Sequence, residues 1–258
     1  MDGRCDRHAT ESEIRGYTMS SSLNTAWFIF EENIPLFWYG VKTTLLLASL
    51  GTMLGLLLGL VLGGVRAVEI DAKDNHFVKG IKRILHAIVV VYVWFFRGTP
   101  MMVQAMFFYY GLRPILGWNA ITAGIIIISF NTGAYMCEII RSGIQSVDKG
   151  QKEAARSLGM TSTQTMVHII LPQAIRNSFP SIGNEFIINI KDSSMLNVIG
   201  VVELFFQTTS IAGTMGLFTE TFMVTVSIYL ILTSAATWIL SCVEKRMNKQ
   251  TVVARSNA

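Results

Sequence analysis

VKTTLLLASLGTMLGLLLGLVLGGV, residues 41–65, carries a single charge, Lys42, at its second position. About 20 apolar residues in a helix cross the hydrocarbon core of a bilayer, so this run is long enough to span one. The competing reading is a secretory signal. Its apolar core is only about 7–15 residues, lies at the extreme N-terminus and precedes a small-residue cleavage site. The run at 41–65 is longer and starts later, which favours a membrane span. Gly51, Gly55, Gly59, Gly63 and Gly64 recur in it, mostly four apart. Small residues at that interval let two helices approach closely, so a helix-packing face is expected here rather than a substrate contact.

Before this span, Ala26 to Tyr39 is crowded with Trp27, Phe28, Phe30, Phe37, Trp38 and Tyr39, beside Glu31 and Glu32. Amphipathic aromatics favour the membrane–water interface, so an interfacial helix leading into the span is expected. Residues 1–24 are polar and unperiodic and read as a disordered head, in which Met19 is a candidate alternative start.

Beyond the span the chain alternates between apolar and basic segments. After a charged linker come ILHAIVVVYVWFF (84–96), RGTP (97–100) and MMVQAMFFYYG (101–111). Proline removes a backbone donor and clashes with the preceding turn. A broken second span within 86–112 is therefore expected, with Arg97 bonding the carbonyls that the break frees. Residues 117–140 read as a third span. Met166 to Ile190 is only moderately apolar and contains Pro172, Arg176, Pro180, Asn184 and Glu185. If it crosses the membrane, its polar face must line protein or water. Residues 192–210 are too short for a clear span, and Thr214 to Val243 is the last clear one.

The chain is 51% apolar and 15% charged, against about 25% charged in an average soluble domain. The net charge of +4 does not point to nucleic acid, because the basic residues sit at span ends. The linker 66–83 has Arg66, Lys73, Lys79, Lys82 and Arg83. The segment 141–156 has Arg141, Lys149, Lys152 and Arg156, and the tail has Lys245, Arg246, Lys249 and Arg255. The other ends show only Lys42, Arg113 and Lys191. Excess Lys and Arg mark cytoplasmic loops. Three such landmarks separated by pairs of spans require five spans, an external N-terminus and a cytoplasmic C-terminus.

Cys5, Cys137 and Cys242 are an odd set at unrelated spacings, and His8, His76, His86 and His168 show no ligand spacing. Neither a disulfide framework nor a metal site follows. The sequence holds no H-E-x-x-H, G-x-S-x-G or G-x-x-x-x-G-K-[ST] pattern, which argues against an enzyme and against ATP hydrolysis by this chain.

The most polar internal stretch is GQKEAARSLGMTSTQTMVHIILP (150–172). Gln151 to Leu158 is rich in helix formers. Gly159 suits a left-handed helix stop, and Thr161 or Ser162 suits the N-cap of a following helix. A helix of about two turns is expected. Ala154 and Ala155 give it a low-profile face that fits a groove on another protein, with charges at the rim. A plain cytoplasmic loop helix, with Lys152 or Glu153 pairing with Arg156 along its own surface, is the default reading at this point.

The order E-A-A, three residues, G, nine residues, I, one residue, L-P is filled by Glu153, Ala154, Ala155, Gly159, Ile169, Leu171 and Pro172. It resembles the signature of permease subunits of ATP-binding-cassette importers. FRGTPMMVQ (96–104), AYMCEIIRSGIQSVDKGQKEAARSLG (134–159) and GNEFIINIKDSSMLNVIGVVELF (183–205) are similar to segments of the polar amino acid importers. The resemblance covers about Phe37 to Lys245. It does not cover the head at 1–24, and it implies an all-α membrane protein of the type I importer permease architecture, about five spans with the permease domain at 25–245 and a cytoplasmic tail at 246–258. The EAA helix then couples the chain to a separate ATPase through Glu153, Ala154, Ala155 and Gly159. No cofactor is expected in this chain, since ATP and magnesium belong to the ATPase. Two ATPase subunits, a second permease copy or paralogue, an external amino-acid-binding protein and membrane lipid are the implied partners.

Polar residues inside spans are functional candidates because lipid tolerates them poorly. Asn184, Glu185, Asn189 and Asp192 cluster on and just after the fourth span. Asn184, Glu185 and Asp192 are the candidate substrate contacts, and Glu185 suits an α-ammonium group or a cationic side chain. The bland alternative is that these groups bond other spans or face an external vestibule. Glu138 and Arg141, three apart, suit an ion pair along one helix. A self-sufficient secondary transporter or channel is the rival class. Such proteins often carry repeated halves, and no internal repeat is visible here.

Overall fold

The computed structural model describes residues 22–68 and 75–256, with side chains through Met247. Most of the expected head and the linker residues 69–74 lie outside the described residues. Every regular element described is helical. Helix α1 covers 22–32, so residues 22–24, read as part of the head, are already helical. Asn33 then interrupts the chain: its side-chain amide donates to the Ile29 carbonyl at 2.9 Å, and proline follows within the first turn of α2, Ile34–Ala67. The aromatic stretch is thereby divided between α1 and the start of α2.

Helices α3, His76–Gly98, and α4, Met101–Leu116, are the two halves of the segment broken by RGTP, and they bend by 110°. The carbonyls at the break are satisfied by Gln104, not by Arg97 as expected. Its amide donates to Phe96 O and Thr99 O, both at 2.9 Å. Asn131 holds the Gln104 carbonyl at 3.0 Å. A side-chain amide that both donates and accepts can serve the break and be fixed by a neighbour. A guanidinium only donates.

Helix α5, Ala120–Gln145, is followed by the short α6, Lys149–Ser157, then α7, Ser162–Thr165. A π-turn, Met166–Ile170, leads into α8, Leu171–Asp192. Pro172 lacks the N–H that would close an α-turn onto the residue four back, which accounts for the wider turn just before it. A 3₁₀ segment, Ser193–Ile199, and α9, Leu204–Met215, precede the long α10, Phe218–Ser256.

Among the described residues, three helices are long and apolar enough to cross a membrane: Ile34–Ala67, Ala120–Gln145 and Phe218–Met247. The count reaches five when α3 with α4, and 162–199 with α9, each make one bent span. The segments absent from the simple count are those with a proline break or a polar face.

The core is the pair α2 and α5. A Cβ on Gly55 would sit 2.8 Å from Thr132 Cβ, and one on Gly59 would sit 2.8 Å from the Met136 carbonyl carbon. Gly51 and Gly63 face Ile128 and Ile140 in the same way. Pairs that advance together in number, 51 with 128 and 63 with 140, mean that the two helices run parallel. Gly64, also in the glycine set, has open space beside it.

Helix α8 runs antiparallel to both. Near its start, Ser178 bonds Ile139 O at 3.2 Å. Near its end, Asn189 accepts from Thr132 at 3.1 Å and donates to Thr52 at 2.8 Å. Helix α10 reverses again, with Arg176 bonding Met247 O and Gly183 lying against Leu240. Arg66, α6 and the far end of α10 therefore share one end of the bundle. That arrangement gathers the three basic segments without any appeal to their charge.

Candidate functional site

Two polar clefts meet at Arg97 and Tyr135. The first, about 590 Å³, lies between α5 and α8 and is lined by Glu138, Arg141, Ser146, Asn177, Ser181 and Glu185 in addition to that pair. The second, about 400 Å³, lies above it, bounded by the RGTP break, Asn131, Asp192 and Met195. The break allows this, because ending α3 at Gly98 lets Arg97 turn toward α5. Its guanidinium carbon stands 5.2 Å from the centre of the Tyr135 ring. Cation and ring face attract electrostatically at such separations.

The acidic candidates fall on this path. Glu185 is buried in the wall of the first cleft. Asp192 lines the second. They are seven residues apart, two turns along one face of α8. Asn184 is elsewhere. One residue along a helix turns the side chain by about 100°, and Asn184 lines a groove against α10 with Thr237, Leu240 and Ser241. Asn189 is occupied in joining α8 to α2 and α5 through its two threonines.

At the end of the bundle that carries α6, Glu138 is held from two helices. Arg141 pairs with it along α5 at 2.8 Å, the expected same-helix pair. Arg66, from the end of α2, makes a second ion pair with the other carboxylate oxygen. Arg141 also bonds Gln145 at 3.0 Å. The Arg66 partner was not foreseen, because sequence separation gives no hint that α2 and α5 end side by side.

Helix α6 stands out from the bundle and leans on it through one side. Asp148 caps it, accepting from the Gly150 N–H at 2.6 Å. Ala155 is buried, while Glu153, Ala154 and Arg156 are exposed and Leu158 is 82% exposed. Gly159 has φ +78°, a left-handed conformation that costs a residue with a Cβ roughly 1–2 kcal/mol. Thr161 then starts α7 with a complete capping box: Thr161 Oγ1 accepts from the Gln164 N–H, and the Gln164 side chain returns to the Thr161 N–H at 2.9 Å. The chain therefore makes a helix, a sharp glycine turn and a second helix start.

Glu203 went unnoticed in the sequence. It is fully buried, caps α9 by accepting from the N–H groups of Phe205 and Phe206 at 2.9 and 2.8 Å, and receives the Tyr229 hydroxyl at 3.3 Å. An acidic residue directly before an apolar run was the available signal. Its role is to join α9 and α10. Among the described residues no group of His, Cys, Asp and Glu could hold a metal ion.

A bundle of membrane-length helices, two broken segments and a polar path lined by charged groups define a membrane component of a transport system. Residues 55–249 match the family described as binding-protein-dependent transport system inner membrane component, and the chain belongs to that family. The glutamine transport system permease protein GlnP of Escherichia coli (strain K12) is 35% identical over 224 residues, 86% of this chain and 97% of its own length. YxeN of Bacillus subtilis (strain 168), a probable amino-acid permease protein, is 39% identical over 170 residues, 64% of this chain and 76% of its own. Among solved structures, a chain of an amino acid ABC transporter superposes with a TM-score of 0.72 at 38% identity, covering 84% of this chain and 96% of that one.

Proposed function

We propose that this chain is the permease subunit of an ATP-binding-cassette importer for polar amino acids. It forms the translocation pathway with a second permease and is driven by two separate ATPase subunits. The names of the similar proteins support the substrate class. The end of the bundle that carries Arg66, α6 and the α10 tail is the cytoplasmic one, since it gathers most of the lysines and arginines. On that reading the N-terminus is external and an external binding protein delivers the substrate. The unit comprises the permease domain at 25–245, flanked by the head and the tail.

The observation that carries the coupling role is α6 itself. It projects from the bundle with Ala154 and Leu158 exposed, is anchored through Ala155, and is closed by a positive-φ glycine. An isolated loop helix would gain nothing by exposing Ala154 and Leu158 together. A groove on an ATPase covers both. Glu153, Ala154, Ala155 and Gly159 are its coupling residues. Glu185 and Asp192 contact the substrate, the Glu185 carboxylate meeting the substrate's α-ammonium group or cationic side chain, and Asn184 is the outlying member of the candidate set.

The test reconstitutes the chain with its ATPase and binding protein in liposomes. Glu153→Lys and Gly159→Pro are each expected to insert normally, yet to lose uptake while ATP hydrolysis persists. Normal uptake by both variants at normal expression overturns the coupling role. Uptake by this chain alone, driven by an ion gradient, would favour the secondary-transporter reading.

A further inference from the structure

A third cleft, of about 700 Å³, lies in the crook between α6 and the ends of α2 and α5. Arg66, Arg141, Lys149, Lys152 and Arg156 line it, against Asp148 and Glu153; Arg66 and Arg141 are already paired with Glu138, so the cations that matter are those of α6. Asp148 already serves as the α6 cap. Lys149 and Arg156 make no ion pair among the described residues. The cleft also has an apolar wall of Ile144, Val147, Met166 and Ile170. One further observation points to a ligand. Thr165, also in the lining, is 3% exposed, and its hydroxyl has no hydrogen-bond partner. A buried hydroxyl without a partner is costly and uncommon in folded proteins.

We propose that this cleft binds the phosphate headgroup of an anionic phospholipid. The excess of cations selects a phosphate anion, the Thr165 hydroxyl supplies a neutral donor, and the apolar wall suits the glycerol and first acyl carbons. The ligand is lipid rather than free phosphate because of position. The cleft opens where α2 and α5, two membrane-length helices, come to their ends, and the ends of helices that cross a bilayer fall among the headgroups. Basic pockets between spans at the cytoplasmic face are suited to such lipids. The proposal rests on the membrane setting and the orientation proposed above, and stands or falls apart from the ATPase-coupling role.

Native mass spectrometry of the full chain, equilibrated with equal amounts of phosphatidylglycerol and phosphatidylcholine, tests it. Retention of phosphatidylglycerol over phosphatidylcholine is expected. Lys149→Gln with Arg156→Gln should weaken retention about fivefold for each cation removed. Thr165→Val, which keeps the shape of the side chain, should weaken it by a smaller factor and guards against loss through misfolding. Lys245→Gln with Arg246→Gln, outside the cleft, should retain the lipid. Equal retention of the two lipids, or equal losses in the cleft and control variants, overturns the proposal. Displacement of the lipid by millimolar inorganic phosphate also overturns it, since the site would then hold a free anion.

Discussion

The guanidinium of Arg97 lies over the ring of Tyr135, 5.2 Å from its centroid, where the clefts of Glu185 and Asp192 meet. The cation thus stands between two spaces that are each lined by a carboxylate. Cation–π contacts are worth about 0.5–2 kcal/mol, and Tyr135 supplies one. Tyr135→Phe is expected to keep substrate uptake near the parent level. Tyr135→Leu should lower it by roughly two- to thirtyfold, the rate equivalent of that energy. Initial-rate uptake in proteoliposomes with the full complex distinguishes them. Equal effects from the two substitutions would remove Tyr135 from the path.

Glu185 and Asn184 are neighbours in sequence on different faces of α8. Glu185→Gln is expected to raise the KM for a substrate with a cationic side chain by about tenfold or more, since a charge-assisted hydrogen bond is about twice as strong as a neutral one. Asn184→Ala should leave KM unchanged for cationic and neutral amino acids alike. A larger KM effect from Asn184→Ala than from Glu185→Gln would move the substrate contact to the groove beside α10.

The glycine seam makes a sharper structural prediction. Gly59→Val places new atoms against Met136 and Cys137, whose backbone cannot yield. Overpacking of this kind costs about 1–3 kcal/mol. Gly64→Val meets open space and should be near neutral. Thermal stability of the detergent-purified chain, followed by fluorescence-detected size exclusion, should fall for Gly59→Val only. Matching curves for the two variants would show that α2 is not seated on α5 in this register.

The clear spans were legible because hydropathy integrates over many residues, and a packing face on α2 because four glycines repeat at one interval; that α5 fills it was not. The helix–glycine–threonine order of α6 and α7 was legible for a similar reason: each signal is local. Arg66 on Glu138 was not legible, nor was the division of Asn184 from Glu185, because each depends on which helix lies opposite. The break at Gly98 was visible from its proline. The groups that heal it were misread, since Gln104 reaches the free carbonyls only after the chain has turned by 110°. Glu203 passed unread because a lone acid before an apolar run looks the same in a loop as in a buried cap.

The interlocked glycines of α2, the Asn189 bonds and the Arg66–Glu138 pair leave α2, α5 and α8 no easy way to slide past one another. Interfaces so tightly meshed behave as a single solid piece, and small displacements at one end are passed whole to the other. A push delivered at α6 would therefore tilt the three helices together. Spin-label distances within the trio are therefore expected to stay fixed while the transporter works.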